Sequence, residues 1–200
     1  MLARSVFILI LVTATLRGFA ANPAENRAFG AAQESFRGGW WERAEKEFAD
    51  FAQKYPESQR LPEAILLQAQ ARLGQTNYAG AIELLSTNRP HAGALTDEYA
   101  FWTAEAYFEK GDYVTAADLF ARMRNEHPSS PRSLEAAVSE AGARAKLLDW
   151  PRVVEALANP DGVFQRAIRS GETNEIAQRG QLLLGEAQFA GKDLAGANAT

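Results

Sequence analysis

The sequence predicts an all-α protein, a right-handed α-solenoid of about five helix-turn-helix pairs that follows a cleavable signal peptide. Three observations carry this. Trp41, Tyr78, Tyr113 and Trp150 recur at steps of 37, 35 and 37 residues. An alanine stands three residues after each of the first three (Ala44, Ala81, Ala116), with a large apolar residue four further on (Phe48, Leu85, Phe120). Alanine is also frequent and β-branched residues are sparse after the first 20 positions, which favours helix. A period of this length denotes stacked units, each too small to bury its apolar stripe alone.

The first 20 residues read as a secretory signal. Arg4 supplies a positive start, residues 5–16 an apolar run, and Gly18-Phe19-Ala20 small residues where a signal peptidase cuts. The apolar run is short for a membrane span, although an uncleaved anchor is the other reading. Cleavage after Ala20 removes two arginines and no acid, leaving 19 basic and 25 acidic residues and a net charge of −6. Residues 21–24 form a polar leader.

From Glu25 the helical period takes over. Ala28, Phe29, Ala32 and Phe36 share one face of a first helix, broken at Gly38-Gly39. Trp41, Ala44, Phe48 and Phe51 share a face of the second, ended by Tyr55-Pro56 because proline disfavours helix before it. A second pair runs from Pro62 to Leu73 and from Tyr78 to about Asn88, with Pro90 beyond. A third runs from Asp97 to Lys110, capped by Thr96 or Asp97, and from Tyr113 to Glu126, stopped at His127-Pro128. The fourth runs from Ser133 to Leu148, then from an Asp149 N-cap with Pro151 in the first turn. Asn159-Pro160-Asp161-Gly162 is a turn, and Phe164 and Ile168 suggest an extra helical turn in a longer connection. Glu175 to Ala190 resumes the pattern, and Leu194 and Ala197 begin a helix incomplete at Thr200. The repeats therefore span about 25–58, 62–93, 97–130, 134–160 and 175–200. The unfinished last pair leads us to expect either the front part of a longer protein or a frayed last pair.

These residues resemble tetratricopeptide repeats. The third pair carries the likeness best, through Ala104, Tyr107, Gly111-Asp112-Tyr113, Ala116, Phe120 and Pro128. The first matches through Ala32, Gly39, Trp41, Ala44, Phe48 and Pro56, and the fifth through Leu184-Gly185 and Ala197. The second pair departs at Asn88, and the fourth places Val153 where the small alanine belongs, which predicts looser packing there. A narrower likeness, through Tyr55-Pro56, Ser58 and His127-Pro128-Ser129, is to exported repeat families of the bacterial envelope. These are the outer-membrane β-barrel assembly lipoprotein and Tol–Pal coordinator types. The first of these needs a lipidated cysteine, and this chain has no cysteine. The resemblance implies a periplasmic or cell-envelope scaffold, in peripheral association with envelope complexes.

In such arrays the first helix of each pair lines a concave groove. The resemblance places there Phe29, Gln33 and Phe36, Leu66, Gln70 and Leu73, Phe101, Glu105 and Phe108, and finally Leu182, Glu186 and Phe189. This ladder suits an extended or helical peptide with apolar anchors. Of these, Phe36, Leu73, Phe108 and Phe189 read sooner as core between paired helices, and Phe29, Leu66 and Phe101 read either way. Trp40 is a second candidate anchor, or the cover of a loop.

Catalysis finds little support. The two histidines, His91 and His127, stand alone beside prolines, and no phosphate loop, serine elbow or zinc-helix motif appears. Absent cysteine removes disulfides and thiolate sites. The net charge of −4 speaks against a nucleic-acid surface. Glu42 and Lys46 form an i,i+4 surface pair, and Asn198-Ala199-Thr200 is a chance glycosylation sequon. The expected partner is therefore a protein or peptide, with no cofactor, no metal and no reaction. The rival is a structural role by self-association of the stack's end, or an activity carried beyond residue 200.

Overall fold

The computed structural model describes residues 22–192 together with Gly196 and Thr200. The signal peptide at 1–20, the helix expected from Leu194 and Ala197, and most of the sequon lie outside the described residues.

Ten α-helices and no strand form among the described residues. They are α1 (Pro23–Arg37), α2 (Trp41–Lys54), α3 (Leu61–Gly74), α4 (Tyr78–Asn88), α5 (Thr96–Glu109), α6 (Tyr113–Glu126), α7 (Ser133–Lys146), α8 (Trp150–Ala158), α9 (Val163–Arg169) and α10 (Glu175–Ala190). Each of α2 to α8 packs on the helix before and after it, and first helices also touch first helices (α1 on α3, α3 on α5, α5 on α7). This is an α-solenoid of helix pairs. The short α9 is an insert, so α10 takes the next first-helix place, against α7 and α8.

One turn recurs between the helices of a pair, and it sets the register. Gly39, Thr76, Gly111 and Leu148 each adopt positive φ, between 58° and 86°. The next backbone N–H then reaches back five residues: Trp40 to Ser35, Asn77 to Arg72, Asp112 to Tyr107 and Asp149 to Arg144, at 2.9–3.0 Å. That is a Schellman closure, which satisfies carbonyls left over at the helix end. Two residues after each positive-φ position comes the periodic aromatic, the first residue of the second helix. Glycine suits the turn at two of these places, whereas Thr76 and Leu148 adopt it at a small steric cost.

The core is a chain of clusters, one per pair. Phe29 packs edge-on to Phe48 and Phe51, and Phe101 meets Phe120 at 5.7 Å. Each such fully buried ring contributes about 2–3 kcal/mol. Ala32, Ala69, Ala104 and Ala141 are fully buried where helix backbones approach. Val153 is also fully buried. The helix α7 has ten of its 14 residues buried, mostly alanine, glycine and serine, since neighbours crowd it on several sides.

The pairs are joined by a clasp that repeats 72 residues apart. In the first, Ser58 Oγ donates to Glu25, accepts from the Arg60 backbone N–H, and the Arg60 guanidinium lies over the Phe29 ring. In the second, Ser130 Oγ donates to Asp97, accepts from Arg132 N–H, and Arg132 lies over Phe101. Each arginine also pairs with a glutamate three residues on, Glu63 or Glu135.

Several local expectations are corrected. The helix α1 starts at Pro23, inside the stretch read as leader, because Asn22 caps it through its side chain. Neither Thr96 nor Asp97 caps α5; Thr96 Oγ1 donates to the Gly93 carbonyl and Asp97 serves the clasp. Lys46 pairs forward with Asp50 at 2.7 Å and not back with Glu42. Asp149 holds the N-cap position, but its carboxylate turns to Arg152 at 3.7 Å.

Candidate functional site

The positive-φ residues align the first helices without ambiguity. Six residues before each turn, at 39, 76, 111, 148 and 192, stand Gln33, Gln70, Glu105, Gly142 and Glu186. Three before stand Phe36, Leu73, Phe108, Ala145 and Phe189; ten before stand Phe29, Leu66, Phe101, Val138 and Leu182.

The third set corrects the sequence expectation. Phe29, Leu66 and Phe101 are 0%, 6% and 1% exposed, so they are core and do not line a groove. Their face meets the pair's own second helix, and the clasp arginines close over two of them. Leu182 differs. It is 64% exposed, as is Phe189 at 68%.

The first set runs along the row of first helices. Gln33 donates to Glu63 across α1 and α3, and Ser139 donates to Glu105 across α5 and α7 at 3.0 Å. Gln70 is partly exposed on α3 between them. Burial holds the Glu105 carboxyl above the usual carboxylate range, against the Ser139 hydrogen bond that lowers it. The acids Glu135 and Glu109 add to the rise, and Arg179 opposes it.

Where the row passes over α7 it opens into a pocket of about 410 Å³. Its lining comes from Phe108 of α5, Gly142, Ala145 and Lys146 of α7, Trp150 of α8, and Arg179, Leu182, Leu183 and Glu186 of α10. Three residues expected in the groove, Phe108, Leu182 and Glu186, are thus brought together, with Glu105 one turn from Phe108. The cause lies in α7. It carries glycine where the other first helices carry Gln or Glu, and alanine where they carry Phe or Leu. A methyl group added to Gly142 would stand 2.9 Å from Arg179 Nη2 and 3.9 Å from the Phe108 ring. Glycine there leaves room for the Arg179 side chain of α10 over α7, beside the Phe108 ring of α5.

Charge in the pocket is only partly committed. Lys146 and Arg179 form no ion pair with another described residue; Arg179 faces Glu105 electrostatically, and Glu186 is the one carboxylate of the wall. The cleft beside α6 and α8 is the contrast. Its arginines 122, 124, 144 and 152 are each already paired, with Glu126, Glu140, Asp118 and Asp149. Trp40 is 58% exposed, with the Arg43 guanidinium 5.5 Å over its ring.

Sequence reasoning missed Gly142, Ala145, Lys146, Trp150 and Arg179. The signal was an absence: two small residues in one first helix at the places other first helices fill. Among the described residues no three His, Asp or Glu side chains gather as metal ligands would. No described helix is long and apolar enough to cross a membrane.

Comparison with known proteins fits this geometry. Residues 98–130 match the tetratricopeptide repeat family. Among solved structures, the chain is similar to the nearly identical TPR-like repeats of a kinesin light chain from Podosopora anserina. That likeness has a TM-score of 0.68 at 15% identity and covers 88% of this chain and 90% of that one. A single-substitution variant of the same protein matches equally well. At this identity the likeness concerns the fold. No curated protein matches the chain.

Proposed function

We propose that this TPR-like solenoid is a non-catalytic, protein- or peptide-binding scaffold of the cell envelope, acting through the groove along its first helices. The observation that carries the reading is the pocket over Gly142 and Ala145, lined by Phe108, Trp150, Leu182 and Leu183 together with Lys146, Arg179 and Glu186. A groove of this kind binds through shape, apolar anchors and polar rim contacts, without chemistry. Tetratricopeptide repeats typically mediate protein–protein interaction, which supports the reading through the match at 98–130. Export rests on the first 20 residues, with their positive start, apolar run and small-residue cleavage site.

The test uses the chain from Ala21 as bait in envelope extract, beside a Leu182→Asp, Glu186→Arg variant. Both substituted residues are exposed, so the fold should stand. A protein captured by the wild type and lost by the variant supports the groove. Equal capture by both removes it. Amino-terminal sequencing of the exported chain tests cleavage after Ala20.

A second reading has its own observation. Leu182 and Phe189, 64% and 68% exposed on one face of α10, form an apolar surface that a second copy of this chain could cover. Self-association predicts a mass that rises with concentration and returns to monomer in Phe189→Asp. A mass fixed at monomer excludes it.

A further inference from the structure

The turn inside the fourth pair carries a leucine where the first and third pairs carry glycine. Leu148 holds φ at 58° and is 70% exposed, so its side chain finds no packing within the chain to offset the left-handed backbone. Leu147 beside it is exposed as well. Helices α6 and α7 pack antiparallel across a short loop, which brings the first turn of α6, with exposed Val114, to the same end as Leu147 and Leu148. Three of the six large apolar side chains exposed among the described residues thus stand on two neighbouring turns. They lie at the edge of the stack, not along the row of first helices. The charges around them have opposite sign on the two turns. The third-pair turn carries Glu109, Lys110 and Asp112, two acids and one cation, for a net of −1. The fourth-pair turn carries Lys146, Asp149 and Arg152, one acid and two cations, for a net of +1. Asp149 faces Arg152 at 3.7 Å and Asp112 caps α6, whereas Glu109, Lys110 and Lys146 form no ion pair among the described residues.

We infer that this edge is a contact between two copies of this chain, related by a two-fold axis that sets the third-pair turn of each against the fourth-pair turn of the other. A two-fold interface has to be complementary to itself, each residue meeting its counterpart twice. These two turns satisfy that condition. Val114 of one copy covers Leu147 and Leu148 of the other, and the turn of net −1 meets the turn of net +1 on both sides of the axis. The result is an apolar centre with a charged rim, the usual anatomy of a protein interface. A second copy supplies the packing that the single chain withholds from Leu148. Charge also argues for this occupant. A surface or partner of one sign would meet like and unlike charges here in equal measure, whereas a second copy meets unlike ones. Two chains of net charge −4 repel each other over most of their surface, and this edge escapes that repulsion. The patch spans only two turns, so the association is weak and reversible. It is separate from the groove and from the α10 surface of Leu182 and Phe189.

The test is analytical ultracentrifugation of the chain from Ala21, from micromolar to near-millimolar concentration. This chain contains every described helix and omits the apolar run of residues 5–16. The wild-type mass should rise with concentration toward that of a dimer and no further. Leu148→Gly should weaken association about tenfold or more, through the lost apolar contact. The same substitution should leave the unfolding midpoint level or raised, because glycine suits the left-handed turn. A residue that served only the fold would give the opposite result. Lys146→Glu and Glu109→Lys, both at exposed positions, should each weaken association severalfold by setting like charges against each other. The double variant exchanges the signs of the two turns, and should regain most of the lost association. A wild type that stays monomeric throughout, a Leu148→Gly chain that dimerises as the wild type does, or a double variant without rescue overturns the inference. So does a dimer that Phe189→Asp abolishes and Leu148→Gly leaves intact, which would assign the contact to α10. The groove is tested separately, since Leu182→Asp, Glu186→Arg leaves both turns unchanged and should dimerise as the wild type does.

Discussion

The Ser130 hydroxyl donates a 2.6 Å hydrogen bond to the Asp97 carboxylate, tying the loop after α6 to the start of α5. The same hydroxyl accepts from the Arg132 N–H, so one side chain fixes both the loop and the arginine that covers Phe101. Ser130→Ala should therefore destabilise the fold by about 1–2 kcal/mol, the range for a hydrogen bond to a charged group, softened by partial exposure. Ser58→Ala, its equivalent beside Glu25, should cost a similar amount. Because the two clasps are well separated, the double variant should show a nearly additive loss in urea unfolding. An unchanged midpoint in both single variants would show that the clasps are incidental.

Gly180 lies within α10 with the Phe164 ring seated on it. A methyl group there would stand 2.8 Å from Phe164 Cζ, and Phe164 is itself 1% exposed. Gly180→Ala gains about 1 kcal/mol of helix propensity but has to displace a buried ring, at about 1–3 kcal/mol. Net destabilisation is expected. Gly30 in α1 has nothing within 4 Å of the same added methyl, so Gly30→Ala should raise stability by about 0.5–1 kcal/mol. Thermal unfolding of the pair separates propensity from packing. A destabilised Gly30→Ala would refute the account.

The fold was legible because its signal is redundant. The aromatic at the start of each second helix, the alanine three later and the turn before it all repeat, so a single departure such as Val153 did no harm. Boundaries set by one side chain were harder, as at Asn22, where an ordinary asparagine begins α1 two residues early. The site was half legible. Helical spacing put Gln33, Gln70, Glu105 and Glu186 on one row, but it cannot tell which side of an apolar stripe a neighbour covers. Phe29, Leu66 and Phe101 were therefore misplaced by about one helical face. Gly142 and Ala145 left no motif, since a pocket made by small side chains is written as missing bulk. Lys146 and Arg179 look like any solvated charge until their neighbours are known.

Tyr99 is 1% exposed, yet its hydroxyl donates at 2.9 Å to the Pro62 carbonyl in the first turn of α3. Burial pushes its phenol above the ordinary tyrosine value, so it stays a neutral donor throughout the stable range. Tyr99→Phe keeps the ring and removes the bond between α5 and α3, leaving the carbonyl with one partner fewer. A loss of about 1 kcal/mol in chemical denaturation is expected. No loss would mean that water replaces the hydroxyl at Pro62.

Glu105 yields a prediction whose sign is decided by burial. Its carboxyl is raised above its ordinary value of 4.5, with desolvation as the leading cause. A carboxylate raised on folding binds its proton more readily in the native state, so its ionisation works against the fold. The penalty is absent at pH well below 4.5, where the group is protonated in both states; it grows as pH rises through the unfolded value and is complete above the folded one. Glu105→Gln keeps an oxygen to accept from Ser139 and removes the charge. The variant should match the wild type near pH 3 and exceed it in stability at pH 7. Urea midpoints across that range provide the measurement. A variant less stable at neutral pH would show that the Glu105–Arg179 attraction outweighs desolvation.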